Sequence, residues 1–203
     1  MQNIAFKNSA LSVDKRVESL ISEMSIKEKV AQLVGVWCGG IVDFDDTYLN
    51  DKDKMKETFG IGIHSVHPSF MAIKETVDQR NRIQKYLIDE TRLGIPALFF
   101  DEGPHGLMRR EATVFPQVIG LSSSWDPGLF RDIYKIVALE MRSRGTHHVF
   151  SPNLDVCTEP RWGRVEETCG EDPYLTGVLG SAAVIGYQGS NDGTIGPDSV
   201  AVT

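Results

Sequence analysis

The sequence predicts an α/β fold in which parallel strands are joined by crossover helices. Two observations predict it. Short apolar runs, typical of strands covered on both faces, recur along the chain. Between them lie longer segments whose apolar residues repeat with helical spacing. The resulting β-α-β-α-β-α-β order indicates a parallel sheet, and it leaves open whether that sheet is open or closed into a barrel.

The first helices are marked by the residues that begin them. Ser12 precedes a segment whose apolar side chains share one helical face as far as Met24. Ser25 and Glu28 have the spacing of a capping box, in which each side chain binds the other residue's backbone N–H. The second helix is expected to continue towards Gly35. The Gly-, Asp- and Lys-rich residues 39–58 are expected to form a mobile loop.

The remaining elements alternate regularly. In order, we expect a first strand at 60–66, a helix at 71–92, a strand at 97–100, a helix from Asp126-Pro127 to near Gly145, a strand at 148–150, a helix at 174–187 and the start of a fourth strand at 200–203. In such folds the chemistry lies in loops that leave the carboxyl ends of strands. The segments 101–110 and 153–172 have that position.

Composition excludes several classes of protein. The 203 residues are 41% hydrophobic and 24% charged, which is close to a globular average. The formal net charge of −7 makes nucleic acid an unfavourable partner. No apolar run approaches the roughly 20 residues that span a bilayer, so no membrane partner is expected. Three scattered cysteines and an N-terminus without an apolar signal segment favour a reducing, cytoplasmic location.

The loop 101–110 carries two carboxylates directly after an apolar strand. Asp101 and Glu102 must be hydrogen-bonded or hydrated there, and carboxylates suit acceptance from neighbouring sugar hydroxyls. Gly103 and Gly106 allow the backbone to turn sharply and to approach a ligand closely. A helix cap or a simple turn is the alternative interpretation of the same residues.

The loop 153–172 places two arginines and a tryptophan among acidic residues. Arg161 and Arg164 could fork onto hydroxyls or carboxylates, and Trp162 could offer its ring face to a sugar. The alternative is a surface network of salt bridges, followed by Asp172-Pro173 at the start of the next helix.

Several stretches together carry a family resemblance: DEGPHGLM, TVFPQVIGLSSSWDP, FSPNLDV and EPRWGRVEETCGEDPYL. They resemble the N-terminal barrel domain of glycoside hydrolase family 3, over roughly residues 12–203. The resemblance implies that residues 1–203 are the first half of a (β/α)8 TIM-like barrel, since a complete barrel has eight strands and about 250 residues. It also implies exo-acting hydrolysis of β-glycosides with retention, through an aspartate nucleophile.

The resemblance also assigns residues. The shared His-Gly pair places the sugar-binding carboxylate on Glu102, with Asp101 one residue before it as a further candidate. The Gly-Arg pair places a sugar-binding arginine on Arg164, with Glu167 as the partner that would fix its guanidinium. His105 is expected to orient the backbone or Glu102 rather than to act as a general base.

Catalytic residues are not expected within this sequence. The family continues with a Lys-His pair where this sequence reaches Thr203, so the nucleophile and the acid/base are expected beyond it. The expected partners are an oligosaccharide or glycoside substrate and the rest of the barrel, supplied by the same or another chain. The alternative is a catalytically incompetent, truncated or split chain that binds sugar or assembles with a partner. No cofactor is implied, and the histidines at 64, 67, 147 and 148 are not expected to bind a metal.

Glu102 also bears on the choice of sugar. Members of the family that act on glucosides commonly carry Asp at this position. The additional methylene of Glu can occupy the space of a hexose hydroxymethyl group, which a pentose lacks. We therefore expect β-xylosides or α-L-arabinosides to be favoured over β-glucosides, although one methylene of misfit is worth only about 1–3 kcal/mol.

Overall fold

The computed structural model describes residues 5–37, 44–67 and 71–203, and the strands among these residues form one parallel sheet. Its strands are β1 (Gly35–Trp37), β2 (Ser65–His67), β3 (Leu98–Glu102), β4 (His148–Phe150) and β5 (Ala201–Val202). Each strand pairs in parallel with the one before it, so the spatial order is β1-β2-β3-β4-β5. The parallel α/β class is confirmed, and the consecutive order is that of a segment of a βα barrel.

Helices connect the strands. They are α1 (Val13–Glu23), α2 (Ile26–Ala31), α3 (Asp46–Asn50), α4 (Lys52–Phe59), α5 (Ile73–Glu90), α6 (Val118–Ser122), α7 (Pro127–Ser143) and α8 (Pro173–Gln188). The predicted capping box is present, since Ser25 and Glu28 each bind the other's backbone N–H. Asp126 and Asp172 cap α7 and α8, with proline in the first turn of each helix.

The expected continuation of α2 to Gly35 was wrong. The helix ends at Ala31, residues 32–34 form a turn, and β1 follows, with its Gly35 in register with Ser65 of β2. The described sheet therefore has five strands rather than four, and the strand expected first, at 60–66, is β2, reduced to Ser65–His67. Three residues are too short for an alternation signal, so β1 is defined by pairing with a distant strand.

The expected loop at 39–58 was also wrong for its described part, while residues 38–43 lie outside the described residues. Residues 46–59 form α3 and α4, which begin at the capping side chains of Asp45 and Asp51. Phe44, which precedes α3, and Phe59, the last residue of α4, are both completely buried. A few buried aromatic contacts stabilise a segment whose composition is otherwise polar.

Two apolar cores support the sheet. The first packs β2 and β3 against α4 and α5 through Phe59, Val66, Ile83, Leu87 and Phe99. The second packs β4 against α7 and α8 through Val137, Met141, Val149, Leu179 and Tyr187. The strand ends that follow β3 and β4 are thereby fixed on two packed layers. In the part of the chain that the structure describes, every helix is too short or too polar to span a bilayer.

Candidate functional site

A cleft of about 690 Å³ opens where β3, β4 and β5 end. Its walls come from the loop after β3, the segment after β4, and the loop that precedes α8. The lining residues are Glu102, Pro104, His105, Met108, Gln117, Phe150, Ser151, Pro152, Asn153, Leu154, Asp155, Arg164, Glu166, Glu167 and Thr203. The cleft therefore lies at the carboxyl ends of parallel strands, as the sequence predicts.

Glu102 and Asp101 point to opposite sides of β3. Successive side chains of a strand alternate between faces. Glu102 is exposed and lines the cleft, whereas Asp101 is 1% exposed and lies beneath it. The two carboxylates, which the sequence alone could not distinguish, therefore have different environments in the structure.

Asp101 is not placed to bind a sugar, which corrects its expected role. One of its oxygens accepts hydrogen bonds from Arg80 (2.7 Å) and Thr146 (2.6 Å). The other accepts two from Arg109, at 3.0 and 2.6 Å. We call these four residues the Asp101 cluster. The two guanidinium charges and the Thr146 hydroxyl overcome the cost of burial and hold the pKa of Asp101 below its ordinary value, so the carboxylate is ionised.

The backbone that follows Glu102 is held by two buried tyrosines. Tyr187 donates to the carbonyl of Gly103 at 2.5 Å, and Tyr134 donates to the carbonyl of Pro104 at 2.7 Å. A Cβ on Gly103 would lie 2.5 Å from the end of the Met141 side chain. The glycine therefore allows close approach to the protein core, rather than to a ligand as expected.

Arg164 enters the cleft as one half of a two-pronged ion pair. Its Nε and Nη2 atoms donate to the two carboxylate oxygens of Glu167, at 2.9 and 2.6 Å. This pair raises the pKa of Arg164 and lowers the pKa of Glu167, so both groups are charged at neutral pH. The arginine side chain remains 59% exposed. Its remaining donors can therefore meet a bound hydroxyl while Glu167 fixes the plane of the guanidinium.

Charges from both sides of the cleft act on Arg164. Glu167 has the largest effect on the pKa of this arginine, and the carboxylates of Asp155 and Glu102 raise it further. Glu102 comes from the end of β3, and Arg164 from the loop that follows β4. The two predicted sugar-binding residues thus lie in the walls of one cleft, within electrostatic reach of each other.

His105 joins the cleft wall to the neighbouring loop. Its ring Nδ1 lies 3.2 Å from the carbonyl oxygen of Phe115, and its own carbonyl accepts a hydrogen bond from the Phe115 N–H. It also lies near enough to Glu167 for its charge to lower the pKa of that carboxyl. These contacts fit a role in orienting the backbone.

Arg161 and Trp162 do not line this cleft. Arg161 is 87% exposed and forms its own two-pronged pair with Glu159, at 2.8 and 2.7 Å. Trp162 lines a separate depression of about 190 Å³, next to Cys157. The same loop therefore carries two Arg-Glu pairs, one inside the cleft and one outside it.

Sequence reasoning missed part of the wall. Phe150 at the end of β4 and the five residues that follow it, as far as Asp155, line the cleft, as do Met108, Gln117 and Glu166. The position of FSPNLDV at the end of a strand was the available signal, but nothing in it distinguished a wall from a connection.

Fold and cleft together define a class: a parallel βα-barrel domain with a polar cleft at the carboxyl ends of its strands. Comparison with known families gives the assignment. The profile described as "Glycosyl hydrolase family 3 N terminal domain" matches residues 25–202. The chain belongs to glycosyl hydrolase family 3.

The curated relatives include proteins named as beta-xylosidases and proteins named as beta-glucosidases. A putative beta-xylosidase of Formosa agariphila is 36% identical over 95% of this chain. Beta-glucosidase C of Emericella nidulans is 31% identical over 96%. The chain spans only 26% and 32% of the lengths of these two proteins.

Solved structures agree with this assignment. A β-glucosidase from Erythrobacter marinus matches with a TM-score of 0.84 and 30% identity, over 100% of this chain and 27% of that one. The β-glucosidase from Listeria innocua in complex with isofagomine matches with a TM-score of 0.72 and 31% identity, over 95% of this chain and 25% of that one.

Proposed function

We propose that this chain supplies the sugar-binding half of a retaining, exo-acting β-glycoside hydrolase. One observation carries the proposal: Glu102 and Arg164, which follow neighbouring strands, line the same cleft. A carboxylate that accepts from one hydroxyl and a guanidinium that donates to another would orient a terminal sugar. Such contacts contribute to the rate when they are stronger in the transition state than in the ground state.

The bond-breaking groups in this proposal come from outside residues 1–203. Retention requires two carboxyl groups about 5–5.5 Å apart, one acting as nucleophile and the other as acid and then base. The nucleophile forms a covalent bond to the anomeric carbon as the aglycone leaves with a proton from the acid. Water then releases the sugar with its configuration retained.

Apolar side chains that are exposed on the strands support the proposal that a further segment covers this face of the sheet. Trp37, Leu98 and Phe150 are 49%, 42% and 42% exposed, and Trp37 and Phe150 both contact the ring of Phe100. An apolar face of this kind favours a partner that completes the sheet, whether more of the same chain or another chain. A 203-residue protein that is monomeric, unfolds cooperatively and hydrolyses an aryl glycoside by itself would contradict this part of the proposal.

Pentosides are the proposed substrates. Glu102 occupies the wall with a side chain one methylene longer than aspartate, and the Formosa agariphila relative named above is a putative beta-xylosidase. Other relatives are named beta-glucosidases, so the name of a relative does not decide the sugar.

The experiment compares three aryl glycosides in the full-length protein that contains this chain. Values of kcat/KM are measured for the β-D-xyloside, the α-L-arabinoside and the β-D-glucoside, in the wild type and in E102D. We expect E102D to shift the ratio towards the glucoside, and E159D, which shortens a carboxylate paired with Arg161 outside the cleft, to leave the ratio unchanged. A tenfold preference of the wild type for the glucoside would refute the choice of sugar, while hydrolysis of none of the three would refute the activity.

A further inference from the structure

The Asp101 cluster joins parts of the fold that are otherwise packed separately. Arg80 lies on α5, beside the first core, and Thr146 lies between α7 and β4, beside the second. Arg80 donates to the Thr146 hydroxyl at 2.9 Å and to the carbonyl of Arg144 at 2.8 Å. The carboxylate at the end of β3 therefore ties together the supports of two neighbouring strands.

The cluster also extends to the end of β2. The Nη2 atom of Arg109, which contacts Asp101, lies 2.9 Å from Nε2 of His67. The His67 ring in turn stacks on Trp37, with centroids 4.1 Å apart. Through Arg109, Asp101 is thus connected to the carboxyl ends of β1 and β2 as well.

Glu102 is the residue whose position these contacts determine. It is bonded directly to Asp101, and its next two neighbours are held by the hydroxyls of Tyr187 and Tyr134. Because no residue lies between the buried carboxylate and the one in the cleft, a shift of Asp101 moves the backbone of Glu102 directly. Since a misplacement of 1 Å can cost about a hundredfold in rate, a fixed backbone at this point has a functional consequence.

We propose that Asp101 is a positioning residue for sugar binding, which acts through Glu102 by fixing the end of β3 relative to β2 and β4. This inference rests on the proposed function of the cleft. Asp101 itself touches no substrate, because its side chain is buried and both of its oxygens are occupied by donors from within the protein.

The test is a double-mutant cycle in the full-length protein, with D-xylose as the probe. Its dissociation constant is measured by NMR titration in the wild type, D101N, E102Q and D101N/E102Q. We expect D101N to weaken xylose binding about tenfold in the wild-type background and less than about twofold in the E102Q background. A role in general stability alone would weaken binding equally in both backgrounds, and that result would overturn the inference.

Two further variants keep the test decisive. T146V removes one donor to Asp101 with little change of shape, so it gives a smaller loss with the same dependence on Glu102, and it decides the question if D101N does not fold. D89N makes the same substitution in the exposed Lys85–Asp89 pair and is expected to change nothing. An absence of coupling in T146V, or no loss in either variant, overturns the inference. If E102Q alone leaves xylose binding unchanged, the proposed function fails, which is a distinct result.

Discussion

The hydroxyl of Tyr187 offers a direct test of how the cleft wall is held. The side chain is completely buried, and its hydroxyl donates to the Gly103 carbonyl at 2.5 Å. Burial raises the pKa of Tyr187 well above its ordinary value, so the phenol remains a donor throughout the neutral range. Y187F keeps the packed ring and removes the hydroxyl.

The expected magnitude follows from the carbonyl that Y187F leaves behind. A buried polar group that loses its partner costs about 1–3 kcal/mol. We therefore expect the free energy of unfolding to fall by about 1–3 kcal/mol. We also expect KM for an aryl β-xyloside to rise, because Gly103 directly follows Glu102.

Urea denaturation and steady-state kinetics of the full-length protein measure the two effects. Y174F is the matched control, since Tyr174 lies on the same helix and is 82% exposed. If Y187F is as stable as Y174F and has an unchanged KM, the hydroxyl does not anchor the loop, and the account of this wall is wrong.

Three further predictions test the site and its support. E167Q should raise KM for the xyloside about tenfold by releasing the cleft arginine, whereas E159Q, which breaks the similar pair outside the cleft, should leave KM unchanged in the same assay. G106A should lower the free energy of unfolding by more than about 1 kcal/mol, because Gly106 has a φ of +121° and the new Cβ would lie 2.3 Å from the carbonyl oxygen of Thr113. G163A is the control and should not lower it, because a Cβ on Gly163 would have no neighbouring atom within 4 Å. Hydrogen bonds from Arg92 are the main cause that lowers the pKa of Glu28 from 4.5 to about 2. The contribution of Glu28 to stability is therefore complete above pH 4.5 and is lost as the pH falls towards 2. Urea titrations from pH 6 to pH 2 should therefore show the difference between wild type and E28Q shrinking, and a constant difference would contradict the assignment.

The features that sequence predicts best are those set by neighbouring residues. The capping box of Ser25 and Glu28 and the caps at Asp126 and Asp172 depend on side chains within three positions of the groups they bind. The apolar run of β3 is similarly local. The pairing of Arg164 with Glu167 spans three positions, and it is present as expected.

What the sequence did not predict depends on distant contacts. β1 is defined by its pairing with β2, 30 residues later in register. The orientation of Asp101 depends on Arg80 and Thr146, which lie 21 and 45 positions away. A pair of adjacent carboxylates carries no local signal that tells which one faces inward.

The consecutive order of the strands bears on how the chain is made. Each strand adds to the edge formed by the strand translated just before it, so no early strand has to wait for a late one to be inserted beside it. The sheet can therefore grow during synthesis, from the N-terminus onwards, as the nascent chain leaves the ribosome. At each stage the newest strand is one of the two edges of the growing sheet, with β1 at the other, and a chaperone that covers the newest edge would protect the nascent chain from aggregation.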